Sequence, residues 1–166
     1  MTAGLTLRDG RAVHVRQLEP FDRAGLAAAI GRLSDESRYL RFATAKPRLT
    51  SRELDHLLDV DHHHREALVA IDPSTRRGVA VVRYVEVPGA AGVVEIAATV
   101  ADAWQGQGLG RALLTQLAAR AREEGYSALR ASVLASNRRS IAMLLSAGFE
   151  PYSRSGILRE YELALS

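Results

Sequence analysis

The run from Val93 to Glu124 constrains this chain more than any other. It opens on a β-branched segment, Val93-Val94-Glu95-Ile96-Ala97-Ala98-Thr99-Val100, and turns through Ala101-Asp102-Ala103-Trp104. It then reaches Gln105-Gly106-Gln107-Gly108-Leu109-Gly110-Arg111 and continues as an amphipathic helix from about Leu109. That helix is expected to bury Leu109, Leu113, Leu117 and Ala121, to expose Arg111, Arg120, Glu123 and Glu124, and to end at Gly125. Glycines at 106, 108 and 110 carry no Cβ, so backbone N–H groups can close around an anion. The unpaired N–H groups and positive dipole end of the helix point at the same place. A strand feeding such a loop is a candidate cradle for a diphosphate.

Spacing excludes two common phosphate loops. A P-loop needs Lys-Ser/Thr after its last glycine, and Arg111-Ala112 follows Gly110. The dinucleotide fingerprint needs a glycine at 111 and an acidic residue ending a second strand about 20 residues on, which falls near Gly125-Tyr126. What remains is Gln105-x-x-Gly108-x-Gly110, which by itself fits either a cradle or an ordinary strand–loop–helix corner.

With 166 residues, 47% of them hydrophobic and 25% charged, the chain is expected to form one domain over 1–166. It has no run of 18 apolar residues and no signal-peptide pattern, so a cytoplasmic protein with no membrane partner is expected. Cysteine is absent, which removes disulfides, thiolate metal sites and cysteine nucleophiles together. The net charge of +3 is modest, and no basic stripe carries interleaved aromatics, so nucleic acid is not expected as a partner.

In chain order, Leu5 to Leu18 alternates about Asp9-Gly10, a hairpin signal with Val13 and Val15 on one face. Pro20-Phe21-Asp22 opens a helix with Leu26, Ile30 and Leu33 at helical spacing. Ser34-Asp35-Glu36 caps a second helix through Phe42, which Lys46-Pro47 breaks. Thr50-Ser51-Arg52-Glu53 is a capping box that starts a third helix through about Leu58. Strands over Ala67–Ile71, Val79–Val87 and Val93–Val100 form an antiparallel meander. After the central helix come a strand over Leu129–Leu134, parallel to its neighbour, and a helix capped by Asn137 through Ser146. Phe149–Arg154 and Leu158–Leu165 form a final hairpin.

His62-His63-His64, flanked by Asp59, Asp61 and Glu66, is a polar loop whose adjacent imidazoles point in different directions, and no metal site is assigned to it. Asp59, Asp61 and Glu66 instead suggest an acidic cleft suited to cationic small molecules.

The element order, together with Gln105-x-x-Gly108-x-Gly110, Glu95-Ile96-Ala97, Asn137 and Ala147-Gly148-Phe149, resembles the GNAT superfamily of N-acetyltransferases over essentially the whole chain. Leu33-Ser34-Asp35-Glu36-Ser37-Arg38-Tyr39-Leu40-Arg41-Phe42 and Asp59-Val60-Asp61-His62 are similar to the catalytic domain of bacterial Pat-type protein lysine acetyltransferases. The resemblance implies an α+β fold: a mostly antiparallel twisted sheet of six to seven strands, splayed at the coenzyme A site, with four to five helices. It implies acetyl-CoA as co-substrate, no metal, and a primary amine acceptor, either a protein lysine or a small amine, in a monomer or homodimer.

By the same resemblance, Ala98, Thr99 and Val100 pair with pantetheine. Gln105, Gly106, Gln107, Gly108, Leu109, Gly110 and Arg111 form the diphosphate loop, and Asn137 contacts the cofactor. Glu95 takes the family's place for the base that removes a proton from the acceptor amine, and partial burial is expected to raise its pKa. The N–H of Ala98 or Thr99 is expected to meet the developing oxyanion. The family's tyrosine, seven residues after the asparagine, is Leu144 here. Ser140, Tyr152 or water then protonates the leaving thiolate, or it departs without help. Lacking cysteine and a Gly-x-Ser-x-Gly elbow, the chain is expected to transfer directly, without an acyl-enzyme. The departure at Leu144 also fits a CoA-binding sensor that has lost its chemistry.

Overall fold

The computed structural model describes residues 2–37 and 49–166. Strands β1 (Thr2–Thr6) and β2 (Ala12–Gln17) form the expected hairpin, with Gly10 at φ +87° in its turn. A single 3-10 turn, Pro20–Asp22, leads into α1 (Arg23–Gly31). Ser34 Oγ accepts from the Ser37 N–H at 3.1 Å, as an N-cap does. The rest of that expected helix and its Lys46-Pro47 break lie outside the described residues. Helix α2 (Ser51–Leu58) starts on the expected capping box: Thr50 Oγ1 accepts from the Glu53 N–H, and Glu53 Oε1 accepts from the Thr50 N–H.

The meander β3 (Arg65–Ile71), β4 (Gly78–Glu86) and β5 (Val93–Val100) precedes α3 (Leu109–Glu123). Then follow β6 (Ala128–Leu134), α4 (Arg138–Ser146), β7 (Glu150–Ser155) and β8 (Leu158–Ala164). All eight strands join one sheet in the order β1-β2-β3-β4-β5-β6-β8-β7. The total exceeds the six to seven expected because both terminal hairpins extend the sheet. Every neighbouring pair is antiparallel except β5–β6. That exception follows from the α3 crossover between them.

One face of the sheet carries Val13, Val15, Leu68, Tyr84, Val94, Ile96 and Leu129, all packed with Leu109, Leu113 and Leu117 of α3. Leu113 and Leu117 are fully buried, worth roughly 2 kcal/mol each. Leu18, Ala67 and Val69 on the other face, with Leu26, Ile30 and Leu54 of α1 and α2, form smaller clusters. The glycine loop and the β5 end therefore sit at one edge of a rigid two-sided core.

Toward the C-terminus of α3 lies a buried ion cluster. Glu66 is fully buried. Its carboxylate accepts from Arg120 Nη2 at 3.1 Å and Gln17 Nε2 at 2.9 Å, and lies 2.7 Å from His62 Nδ1. Arg120 also donates to Glu123, Glu124 and the His62 carbonyl, so it is largely enclosed rather than exposed as its helical position suggested. Removing Arg120 leaves a buried carboxylate short of its counter-charge. Arg120→Met is expected to lower unfolding free energy by about 3 kcal/mol in urea denaturation; a loss below about 0.5 kcal/mol would show the pair to be incidental.

Candidate functional site

Strands β5 and β6 pair over only four residues: Val93 with Ala128, Val94 with Leu129, Glu95 with Arg130 and Ile96 with Ala131. Beyond Ile96 they part. Ala97–Val100 continue pairing only with β4, and Ser132–Leu134 only with β8. Hydrogen bonding along an antiparallel ladder alternates. The Ala101 N–H donates to Val79 O and Val93 O accepts from Val87, so the odd-numbered residues of β5 bond to β4. Ala98 and Val100 therefore present their N–H and C=O to the gap. The Thr99 N–H points the other way, which corrects the expectation that it might meet an oxyanion there.

The glycine loop closes the open end of this gap. Gly106 and Gly108 have φ of +76° and +85°, a region that costs a residue with a Cβ about 1–2 kcal/mol. Gly108 is the N-cap of α3, which leaves the first N–H groups of the helix, including those of Leu109, Gly110 and Arg111, without intrahelical acceptors. Gly110 serves a different end. A Cβ there would stand 3.0 Å from Met143 Sδ and 3.7 Å from Val100 Cγ2. Its absence lets the α3 N-terminus settle against both β5 and α4.

Gln105 ties the loop to the strand. Its Nε2 donates to Val100 O at 2.9 Å and to Ser37 Oγ at 3.3 Å, and its Oε1 accepts from Arg139 on the first turn of α4. Asp102 receives the Ser34 N–H at 3.1 Å and the Ser37 hydroxyl at 3.0 Å. Burial pushes the Asp102 carboxyl up, but those hydrogen bonds outweigh it and hold it below the usual range. From the other side, the Arg8 N–H donates to Gln107 O at 3.4 Å, and Arg11 donates to Ala103 O while lying 3.9 Å over the Trp104 ring. Arg111 is exposed on the first turn of α3. Asn137 caps α4, with Oδ1 accepting from the Ser140 N–H at 3.2 Å.

The candidate base and the candidate acids are less closely gathered. Glu95 is exposed, contrary to the expected partial burial. It faces a cleft between α2 and the β4–β5 ladder, lined also by Arg52, His56, Leu57 and Arg83. Tyr152 lies on the same side of the sheet as Glu95, since its ring is 4.5 Å from Arg130 and Arg130 is registered with Glu95. It is half-exposed on edge strand β7. Ser140 belongs to α4, whose Ile141 and Met143 pack on the opposite face. The two hydroxyls thus lie on opposite sides of the sheet. Leu144, at the family tyrosine's place, is buried in the core.

The acidic cleft expected from Asp59, Asp61 and Glu66 does not form. Glu66 is enclosed on the α3 face, Asp61 accepts from the N–H groups of His63 and Arg65 and lies 2.9 Å from His64 Nδ1, and Asp59 pairs with Arg65. The three histidines take different carboxylate partners: Glu66, Glu124 and Asp61.

The sequence pattern of the Acetyltransferase (GNAT) family matches residues 32–149. The chain belongs to that family. It is 33% identical over 146 residues to an acetyltransferase of Pseudomonas aeruginosa, covering 87% of this chain and 78% of that protein. The GNAT domain of S. lividans PAT superposes with a TM-score of 0.92 at 32% identity, over 99% of this chain and 97% of that one. A cAMP-binding acyltransferase from Mycobacterium smegmatis shares the fold at 23% identity and a TM-score of 0.70, over all of this chain and 48% of that one. The protein is an N-acetyltransferase of the GNAT type, moving an acyl group to an amine. Among the described residues no helix is long and apolar enough to cross a membrane.

Sequence reasoning missed Arg8, Arg11 and Arg139 around the loop and Arg83 beside Glu95. No spacing pattern marks them, because each arrives through contacts between distant segments. The loop glycines yield a contrast that stability measurements resolve. Gly108→Ala is expected to destabilise by about 1–2 kcal/mol. Gly25→Ala, within α1 where a Cβ meets nothing within 4 Å, is expected to stabilise by about 0.5–1 kcal/mol. Equal effects at the two positions would contradict the assigned backbone strain.

Proposed function

We propose that this GNAT protein transfers an acetyl group from acetyl-CoA directly to a primary amine, with a protein lysine as the acceptor. The observation that carries the reading is the parting of β5 and β6 beside the glycine loop. A chain-like ligand with an amide arm and a diphosphate matches that pairing of unsatisfied strand groups with free helix N–H groups. The donor set fits: Ala98 offers N–H and C=O and Val100 its N–H to the amide arm, the Val100 carbonyl being held by Gln105, and Gly106 to Arg111 offer N–H groups to the diphosphate. Asn137 and Arg139 flank it from α4. The similarity of the 33–42 and 59–62 segments to Pat-type protein lysine acetyltransferases supports lysine as acceptor. The premise for a cationic small molecule weakens with the loss of the Asp59–Asp61–Glu66 cleft.

When bound, acetyl-CoA supplies a thioester carbonyl activated toward nitrogen. Glu95, exposed in the cleft, takes a proton from the acceptor ammonium, directly or through one water, and frees the lone pair that attacks. The Ala98 N–H, aimed into the gap, stabilises the negative charge that builds on the carbonyl oxygen. An N–C bond forms, the C–S bond breaks, the new amide nitrogen sheds its second proton to water, and coenzyme A leaves as thiolate. With the apolar Leu144 at the family tyrosine's place, on this reading the thiolate leaves without a dedicated protein acid. Absence of cysteine agrees with a direct route.

Thiol release on mixing acetyl-CoA with lysine peptides tests the reading. Glu95→Gln is expected to lose roughly 10²-fold or more in turnover, and wild-type turnover in that variant would remove Glu95 from the base role. Ser140→Ala and Tyr152→Phe are each expected to fall well short of the roughly 10²-fold loss that removing a general acid causes. A loss of that size in either would identify the acid.

A further inference from the structure

Arg83 is a buried charged side chain on the acceptor side that the proposed chemistry leaves unused. It is only 5% exposed. Nη1 donates to Leu57 O at 2.9 Å, while Nη2 is buried with no hydrogen-bond acceptor. Burial lowers its pKa, with the Arg65 charge adding to the effect and Asp59 opposing it. A buried guanidinium with an idle donor is costly unless something anionic meets it.

Its position says what that partner is. Arg83 lies in the wall shared by the Glu95 cleft and a cavity of about 400 Å³ between α1 and the sheet. That cavity is also bordered by Arg16, Arg32, Arg76 and Arg77, with Asp22 as its acidic residue, and Asp22 is already bound by Arg16. It reaches Ala97 and Thr99 on the part of β5 that borders the gap. In the β4–β5 ladder Arg83 stands opposite Ala97, which makes it the diagonal neighbour of Glu95 on the same face, about 7 Å away between Cβ atoms. One acidic and one basic group at that spacing match a ligand with an amine at one end and a carboxylate at the other.

We infer that the acceptor of this GNAT protein carries a carboxylate close to its reactive amine, and that the Arg83 guanidinium receives the carboxylate while Glu95 faces the amine. The inference rests on the transferase reading and narrows its substrate class. The carboxylate belongs either to a free amino acid or to an acidic residue beside a lysine in a protein. Arg83 is on this account a specificity-determining residue.

The test is thiol release from acetyl-CoA with two matched acceptor pairs. Free lysine and cadaverine differ only in the carboxylate, and two lysine peptides differ only in a neighbouring Glu or Gln. At least one pair is expected to favour its carboxylate-bearing member by roughly tenfold or more in kcat/KM, and which pair does so identifies the source. In Arg83→Gln that preference is expected to collapse toward unity while the KM for acetyl-CoA holds. Equal use of both members in both pairs overturns the inference, as does a preference that survives Arg83→Gln. Loss of succinyl-CoA use in that variant with acceptor preference intact also overturns it, by placing the anion on the donor. Should Arg83→Gln not fold, the wild-type pairs still decide, and Arg83→Lys, which keeps the charge but not the planar fork, is expected to retain part of the preference. No thiol from any amine overturns the transferase reading and this inference with it, whereas thiol release without preference overturns this inference alone.

Discussion

Between β5 and β6 the sheet pairs for four residues and then parts, and the site depends on that local failure of pairing. Unpaired strand N–H and C=O groups are ordinarily a liability at a sheet edge. Here they occur inside an eight-stranded sheet, where β4 on one side and β8 on the other hold the diverging strands rigid. The parting is thus flanked on both sides by continuous antiparallel ladders. What separates the strands is visible in the packing. The α3 N-terminus sits against Val100 and Met143 because Gly110 has no side chain, and Gln105 takes the Val100 carbonyl that a continuing β6 would otherwise claim.

The loop is braced from three directions. The β1–β2 turn reaches it through Arg8 and Arg11, the segment after α1 through Ser34 and Ser37, and α4 through Arg139. Such bracing matters for a backbone cradle, since N–H groups hold an anion well only if they are already aligned. Glu66 and Arg120 anchor the opposite end of α3, nine residues beyond Arg111, or about 14 Å along the helix. The dipole end that faces the loop is thereby set at both ends of its helix.

Most of this frame was legible in the residues. Alternation about Asp9-Gly10, the Thr50–Glu53 capping box and the strand–glycine–helix run each report a local preference, and local preferences survive folding. The places that misled are those where a long-range partner decides. Glu66 reads as a loop carboxylate near histidines, and it becomes a buried counter-ion because Arg120 arrives from 54 residues away. Glu95 was expected to be partly buried as a strand residue, yet it stands exposed at the cleft where β5 begins to leave β6. From sequence Thr99 reads as an alternative to Ala98 for the oxyanion donor, and only the ladder's alternation, fixed by the Val79–Ala101 bond, assigns its N–H to β4. Arg83 carries no motif at all. Its mark is a buried Nη2 without a hydrogen-bond acceptor, which only the packed structure creates.

Amide hydrogen exchange, read residue by residue by NMR with and without acetyl-CoA, tests the central claim most directly. Slowed exchange is expected at Ala98 and Val100 on the gap side of β5 and at the N–H groups from Gly106 to Arg111. Thr99, already bonded to β4, should change little. Protection confined to other surfaces, or none at saturating acetyl-CoA, would contradict the account.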